Sequence, residues 1–314
     1  MFISIVTPCY NVSSFLEDYF DSLLNQTHTN FEVILVDDGS KDDTWEKLNI
    51  FKQRDNRIKI YQLKENTGGC KIPRETGISH AAGEWLICVD ADDFLDSDYL
   101  TQLIRRQEET GADIVLSRTV SWRPNEKCPS IPDDAFDFTQ ILTSEEALNL
   151  CVGGWKISPA GCLVKKKLWT NCHNYLDATR RIGCDNLDEL TGRELIMQAN
   201  KVAFYDINYY ARVNYASITR SNPKKFMTYG TDFHIYNMLK NRYGHHNKIV
   251  KKALAVYIAH IIRLVRKQEA SSDVKEHLMR ITLNDVLNSS FSLIRKIRTI
   301  LRLFYLKKAH KPHS

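Results

Sequence analysis

The strongest constraint on the fold is an alternation: through residue 117, short apolar runs take turns with segments of helical spacing. Phe2–Val6 reads as a buried strand. Leu16, Phe20, Leu23 and Leu24 mark one face of a helix that Ser14 and Glu17 would open as a capping box. Glu32–Val36, Arg57–Gln62, Trp85–Val89 and Ala112–Ser117 supply further strands, with helical patterns at Asp43–Arg54, Ile72–Ala82 and Asp96–Thr110 between them. Strands separated in this way need crossover connections, hence a mainly parallel sheet flanked by helices on both faces. The fold class is α/β.

Ligands of such sheets bind beyond the carboxyl ends of the strands, and a polar cluster stands at each of those ends. Thr7-Pro8-Cys9-Tyr10-Asn11 follows the first strand and Asp37-Asp38-Gly39-Ser40 the second. Asn66-Thr67-Gly68-Gly69 follows the third and Asp90-Ala91-Asp92-Asp93 the fourth. Three carboxylates in four residues repel one another unless a cation or hydrogen bonds offset the charge. A hard divalent ion such as Mg²⁺ or Mn²⁺ does so and keeps positions open for diphosphate oxygens. The plainer alternative is a solvated turn whose Asp96 and Asp98 begin the next helix. Asp37-Asp38 can accept from a base or a ribose, or cap the helix starting near Asp43, and the local pattern leaves both open. The glycine turn is neither G-x-G-x-x-G nor a P-loop, which speaks against a nicotinamide enzyme or an ATPase. Gly68 and Gly69 permit close backbone approach, and Arg74, one helical turn into the next segment, suits a phosphate.

Composition narrows the class. The chain has 314 residues, 43% hydrophobic and 26% charged, as expected of a globular protein. Its net charge of +5 is uneven: from Leu287 onward there are seven basic residues and no acid, which leaves 36 basic against 38 acidic side chains before it. The body is thus not built for nucleic acid. Eight scattered cysteines with no C-x-x-C pair fit reduced thiols in the cytoplasm rather than a disulfide framework or a zinc site. The N-terminus reaches Pro8 too early for a signal peptide. The apolar run Ala253–Ile262, interrupted by His260, is too short to span a bilayer.

Taken in order, Ile5-Val6-Thr7-Pro8-Cys9-Tyr10-Asn11, Leu35-Val36-Asp37-Asp38-Gly39-Ser40, Asn66-Thr67-Gly68-Gly69 through Arg74-Glu75-Thr76-Gly77-Ile78, and Gly83-Glu84-Trp85 leading into Asp90-Ala91-Asp92-Asp93 resemble glycosyltransferase family 2. These are nucleotide-sugar enzymes of the GT-A fold, and enzymes of bacterial surface polysaccharides are among them. The resemblance is close over residues 1–115 and looser to about 220. It implies that Pro8 and Tyr10 lie against the nucleotide base, that Asp38 binds the base edge, and that Gly68 and Arg74 flank the diphosphate. Asp90 and Asp92, helped by Asp93, would hold the metal and the ribose–diphosphate. Relatives often carry Ala-Arg-Asn where this chain has Pro73-Arg74-Glu75. Pro73 fits a first helical turn, and Glu75 has no family role.

Inverting transfer needs a carboxylate base for the acceptor hydroxyl. The resemblance points to Asp188-Glu189, followed by Asn208-Tyr209-Tyr210-Ala211-Arg212 and Ala216-Ser217-Ile218-Thr219, which are similar to a Tyr-x-Arg and Ser-Ile-Thr ending. Asp188 is the chosen base, with Asp185 and Glu189 in reserve; on local grounds the same acids simply suit a helix start. Trp155 could stack on a sugar or sit in a core. In the basic tail, Leu293, Ile294, Ile297, Ile300, Leu301 and Phe304 form one apolar stripe, so residues 287–311 form an amphipathic helix suited to an anionic membrane. The same stripe could instead pack on the catalytic domain or on a second subunit.

The expectation is a GT-A domain over residues 1–220 and a helical C-terminal region over 221–314. The function expected is a metal-dependent hexosyl- or N-acetylhexosaminyl-transferase using a UDP-linked donor and a glycan or lipid-linked acceptor. It would act in the cytoplasm, at the inner face of the cell membrane. Two alternatives are a metal-dependent nucleotidyltransferase and an inactive membrane-recruited scaffold.

Overall fold

A computed structural model describes residues 1–123, 126–129, 137–152, 160–172, 187–213, 229–266 and 272–309. Trp155, Asp185 and Ser217-Ile218-Thr219 lie outside the described residues. The chain divides into two compact units, one of Met1–Ala147, Ile157–Asn174 and Glu194–Ser221, the other of Leu148–Lys156, Tyr175–Arg193 and Asn222–Ser314.

The first unit is the α/β body. It runs β1 (Ile3–Cys9), α1 (Leu16–Leu24), β2 (Phe31–Asp37), α2 (Thr44–Arg54), β3 (Ile58–Gln62), α3 (Lys71–His80), β4 (Trp85–Cys88), β5 (Phe94–Leu95) and α4 (Tyr99–Thr110). β6 (Ile114–Arg123), β7 (Glu126–Pro129), β8 (Ile141–Thr143), α5 (Ser144–Cys151), β9 (Leu163–Lys165) and α6 (Lys166–Asn171) follow, then α7 (Leu187–Gln198) and β10 (Lys201–Arg212); the division between the units falls inside α5 and α7, so Asp188 and Glu189 count with the second unit. Among the described residues ten strands make one sheet in the order β3-β2-β1-β4-β9-β6-β10-β5, with β7 beside β6 and β8 beside β10. β3, β2, β1 and β4 are mutually parallel, so their carboxyl ends share one edge. Val33, Ile34, Leu35 and Val36 of β2 are fully buried, as are Ile3, Ile5 and Val6 of β1. Burial on both faces explains why these strands read as continuous apolar runs rather than alternations. Helix α3 crosses so close to β1 that a Cβ on Gly77 would stand 2.5 Å from Val6 Cγ1.

Two expectations change, and one strand is added. Ser14 does not cap α1: Phe15 takes that position with no side-chain cap. The turn before it is instead tied to the next loop, Asn11, Val12 and Ser13 donating their N–H groups to Ser40, Thr44 and Asp42. After Trp122 a further strand appears: Glu126–Pro129 pairs antiparallel with β6, and Pro129 sits at the strand's end, where its missing N–H does least harm. Finally, β9 enters antiparallel between β4 and β6, so the far half of the sheet is mixed.

The second unit holds α8 (Tyr229–Tyr243), α9 (Lys248–Arg266), α10 (Ser272–Arg280), α11 (Leu283–Asn288) and α12 (Leu293–Ala309). α9 is its spine, with Leu254, Ile258, Ile261 and Val265 among its buried side chains. Tyr257 and His277 share a buried hydrogen bond of 2.7 Å, and Thr282 with Asp285 forms a reciprocal capping box on α11. Among the described residues no helix is long and apolar enough to cross a membrane.

In α12 the apolar stripe read from the sequence is the outer face. Leu293 is 73% exposed and Phe304 74%. The inner face is a different set, Thr299, Leu303 and Leu306, all buried. Lys307 completes the inner attachment by donating to the carbonyls of Met279 and Ile281, near the end of α10.

Candidate active site

The four polar turns of the parallel strands meet at one edge, and hydrogen bonds knit them together. Asp38 donates its N–H to the Cys9 carbonyl at 2.8 Å, and Lys41 donates to Asn11 Oδ1 at 2.7 Å. Asn11 adopts a positive φ of 50°, a conformation that its short polar side chain tolerates. Asp37 is spent on structure: its carboxylate accepts from Ser40 and from Gln62. Pro8 is half-buried and Tyr10 is exposed, so this wall offers an aromatic ring to solvent.

Asp38 lies 2% exposed and faces the third turn. Thr67 donates its backbone N–H to both Asp38 oxygens at 3.1 Å and its hydroxyl to Oδ2 at 3.0 Å. Burial pushes the Asp38 acid up from its usual range, the Thr67 hydrogen bonds pull it back, and Asp37 pushes the same way as burial. Gly39 is obligatory here, because its φ is +68° and a Cβ would meet the backbone of Glu65 at 2.9 Å. Gly68 is exposed with φ +85°, leaving a bare backbone surface.

α3 then carries Arg74 to the same edge. Arg74 is 5% exposed, and its guanidinium reaches to 3.9 Å from Asp90 Oδ1. The unfamiliar Glu75 is answered one turn earlier by Lys71, at 3.1 Å. Pro73 is buried in the first turn of the helix.

The acidic turn after β4 separates into two kinds of carboxylate. The Asp90 side chain is 40% exposed and Asp92 is half-buried. Asp93 is buried, accepting from the Tyr209 hydroxyl at 2.6 Å and from the Arg212 backbone N–H at 2.8 Å. Burial, and then the Asp90 and Asp92 charges, drive its acid well above the ordinary range. Arg212 also donates from Nε to the Asp92 carbonyl at 3.0 Å and lies over the Trp122 ring, with a far end paired to Asp18 at 2.7 Å. Tyr209 is itself located by Gly161, where a Cβ would stand 2.5 Å from its ring.

Two hard carboxylates beside a buried arginine fit a Mg²⁺ or Mn²⁺ ion that takes one or two protein oxygens and fills its shell with phosphate and water. Among the described residues no three His, Cys, Asp or Glu side chains gather into a fuller cage. Asp188 lies half-buried in the first turn of α7, and Glu189 beside it pairs with the buried Arg193 at 2.8 Å.

The model of the family described as "Glycosyl transferase family 2" matches residues 4–148, the stretch that holds all four turns. GlyG, a glycosyltransferase of Streptococcus pneumoniae serotype 4, is 32% identical over 215 residues, covering 66% of this chain and 69% of GlyG. The chain belongs to glycosyl transferase family 2. This family 2 enzyme is also 32% identical over 118 residues to TarP of Staphylococcus aureus, a poly(ribitol-phosphate) beta-N-acetylglucosaminyltransferase, covering 37% of this chain and 36% of TarP. Its fold matches residues 1–349 of S. aureus TarS bound to UDP, with a TM-score of 0.68 at 18% identity over 98% of this chain and 89% of that one. TarS has also been solved with UDP-GlcNAc. Family membership sets aside the nucleotidyltransferase alternative.

Within this glycosyltransferase, sequence reasoning brought Pro8, Tyr10, Asp38, Gly68, Arg74, Asp90, Asp92 and Asp93 to one sheet edge, and the edge exists. What it missed are the braces: Thr67 on Asp38, Tyr209 on Asp93, and Arg212 on Asp92. Thr67, Tyr209 and Arg212 all stand inside the family motifs, but nothing local in the sequence pairs Tyr209 with Asp93, 116 positions away.

Proposed function

We propose that this family 2 enzyme is an inverting, metal-dependent glycosyltransferase that moves a hexosyl or N-acetylhexosaminyl group. The donor is a nucleotide diphosphate sugar, UDP-linked, and the acceptor is a glycan or lipid-linked chain of a surface polysaccharide. The observation that carries the reading is the Arg74–Asp90 approach of 3.9 Å at the edge shared by four polar turns. A buried guanidinium beside exposed acids serves a ligand with both phosphate and metal. UDP in TarS and the acceptor in TarP's name support the donor and acceptor classes.

In this reading the base rests against Tyr10 and Pro8, its edge is read near Asp38 and Thr67, and the diphosphate lies between Gly68, Arg74 and the acidic turn. Asp90 and Asp92 hold the ion, and Asp93 keeps the turn in shape. The ion, when bound, offsets charge on the departing diphosphate. Asp188 takes the acceptor hydroxyl proton as the new bond to the anomeric carbon forms and the bond to the diphosphate oxygen breaks on the opposite side. Arg74 stabilises the charge that develops on that oxygen. Residues 1–220 supply this catalytic domain. Residues 221–314 supply the helical region, which holds the enzyme to the cytoplasmic face of the membrane through 287–311.

The test is a panel of nucleotide sugars scored by thermal shift with and without Mn²⁺, since a ligand that binds only the native state raises its melting temperature. A UDP-sugar is expected to stabilise the enzyme in a metal-dependent way, and Asp92→Asn to abolish the metal-dependent part. Metal-independent stabilisation equal in both proteins would refute the metal role.

A further inference from the structure

Away from the sheet edge, a cluster of like charge lies between α9 and α12. A cavity of about 700 Å³ is lined by Arg263 and Arg266 of α9 and by Arg295, Arg298 and Arg302 of α12, with Ile294 on its wall. A second cavity of about 580 Å³ extends it toward Lys252 and His260, sharing Arg263 and Arg295. No Asp or Glu is among the described residues that line either one. Arg263 donates to His260 Nε2 at 3.1 Å, and Asp232 stands behind that ring on Nδ1 at 2.7 Å. Arg295 lies over Phe291, 4.4 Å from the ring centre.

Helix electrostatics account for only part of this arrangement. Arg263 and Arg266 occupy the last turn of α9, where the dipole favours cations. Arg295 and Arg298 occupy the opening turns of α12, where it does not. Their spacing with Arg302, at i, i+3 and i+7, holds all three on one flank of the helix. The neighbouring flank is the exposed apolar face of Leu293, Ile297, Leu301 and Phe304, and Ile294 belongs to both cavity and face. Guanidinium forks match phosphate oxygens in pairs. Beside an apolar strip of this kind, the fitting ligand has an anionic phosphate joined to a hydrocarbon tail.

We propose that the groove between α9 and α12 seats the headgroup phosphate of an anionic phospholipid while the Leu301–Phe304 face enters the acyl boundary. This rests on the membrane reading of residues 287–311 and adds to it a site that α9, outside that segment, must help to form. An amphipathic helix attached at one face gains from such a second anchoring signal.

The test uses the full chain and co-sedimentation with vesicles of phosphatidylcholine alone or mixed with phosphatidylglycerol. Wild type is expected to favour the mixed vesicles by at least about tenfold. Arg263→Ala with Arg266→Ala, both exposed positions, is expected to remove most of that preference without changing the melting temperature. Arg298→Glu with Arg302→Glu is expected to remove it as well. If wild type prefers the mixed vesicles and the α9 pair variant behaves identically, the seat is overturned while the tail reading stands. If wild type binds neither vesicle, the membrane reading falls with it. Thermal stabilisation by inorganic pyrophosphate that the α9 pair variant loses, without vesicle binding, would assign the groove to a soluble anion and overturn the lipid. A wild-type dimer that Leu301→Asp converts to monomer, again without vesicle binding, would assign the apolar face to a second copy.

Discussion

Tyr209 donates its hydroxyl to Asp93 at 2.6 Å while the same oxygen accepts the Asp90 backbone N–H at 3.1 Å, so one phenol from β10 grips both ends of the acidic turn. The turn that carries the proposed metal ligands is therefore shaped from the far half of the sheet.

Tyr209→Phe leaves a buried carboxylate oxygen and a backbone N–H without this partner. A loss of roughly 1–3 kcal/mol in stability is expected, with weaker metal-dependent donor binding. Urea denaturation and a donor titration check it; a variant matching wild type in both would show that the phenol braces nothing.

Asp188→Asn is expected to lower transfer roughly 100- to 10,000-fold, the usual contribution of a general base, with donor affinity nearly intact. Asp92→Asn should instead lose both. Comparing donor binding with turnover in the two variants separates the roles, and parallel losses in Asp188→Asn would move the base elsewhere.

Gly77→Ala sets a methyl 2.5 Å from Val6 Cγ1, with Val36 and Ile34 closing the other sides at 3.5 and 3.7 Å. The better helix propensity of alanine is outweighed, because Val6 is in a central strand and cannot retreat. A net destabilisation of about 1–3 kcal/mol is expected. Pairing it with Val6→Ala should recover part of the loss in denaturant melts, and no recovery would mean that the clash lies elsewhere.

Glu194 supplies a pH test away from the site. It is 5% exposed, its Oε2 has no hydrogen-bond partner among the described residues, and burial pushes its acid up to about 8. The folded state therefore keeps a proton that the unfolded chain releases near pH ~4.5. Stability falls as pH rises between those two values, by a penalty on the order of 5 kcal/mol once the group is fully ionised. Cys172, the titratable neighbour whose thiol feels the Glu194 charge, stays protonated across this window because burial raises it further. Glu194→Gln should flatten the decline between pH 5 and 9 in chemical denaturation; an unchanged slope would assign it to other groups.

Much of this molecule is legible from local pattern. Burial of β1, β2 and β4 on both faces leaves uninterrupted apolar runs, and the turns that follow them are polar because they meet solvent at the sheet edge. The antiparallel entry of β9 left no such trace: three residues are too few for a period. Ser14 and Glu17 had the right spacing for a cap, yet hydrogen bonds from Asn11, Val12 and Ser13 to a neighbouring loop fixed a different entry into α1.

The order of strands, helices and acidic turns belongs to the sequence alone, because side-chain periodicity and turn chemistry act within a few residues. Which carboxylates stay open and which are consumed was decided by packing between distant segments. Asp90 stays partly in solvent while Asp93 is buried against Tyr209, 116 positions away in the chain. Likewise, the α12 residues form two apolar sets, and only contact with α9, α10 and α11 determines that Leu303 and Leu306 turn inward and Leu301 and Phe304 outward. Hydrophobicity marks a face as apolar, but its partner is chosen by the shape of what packs beside it.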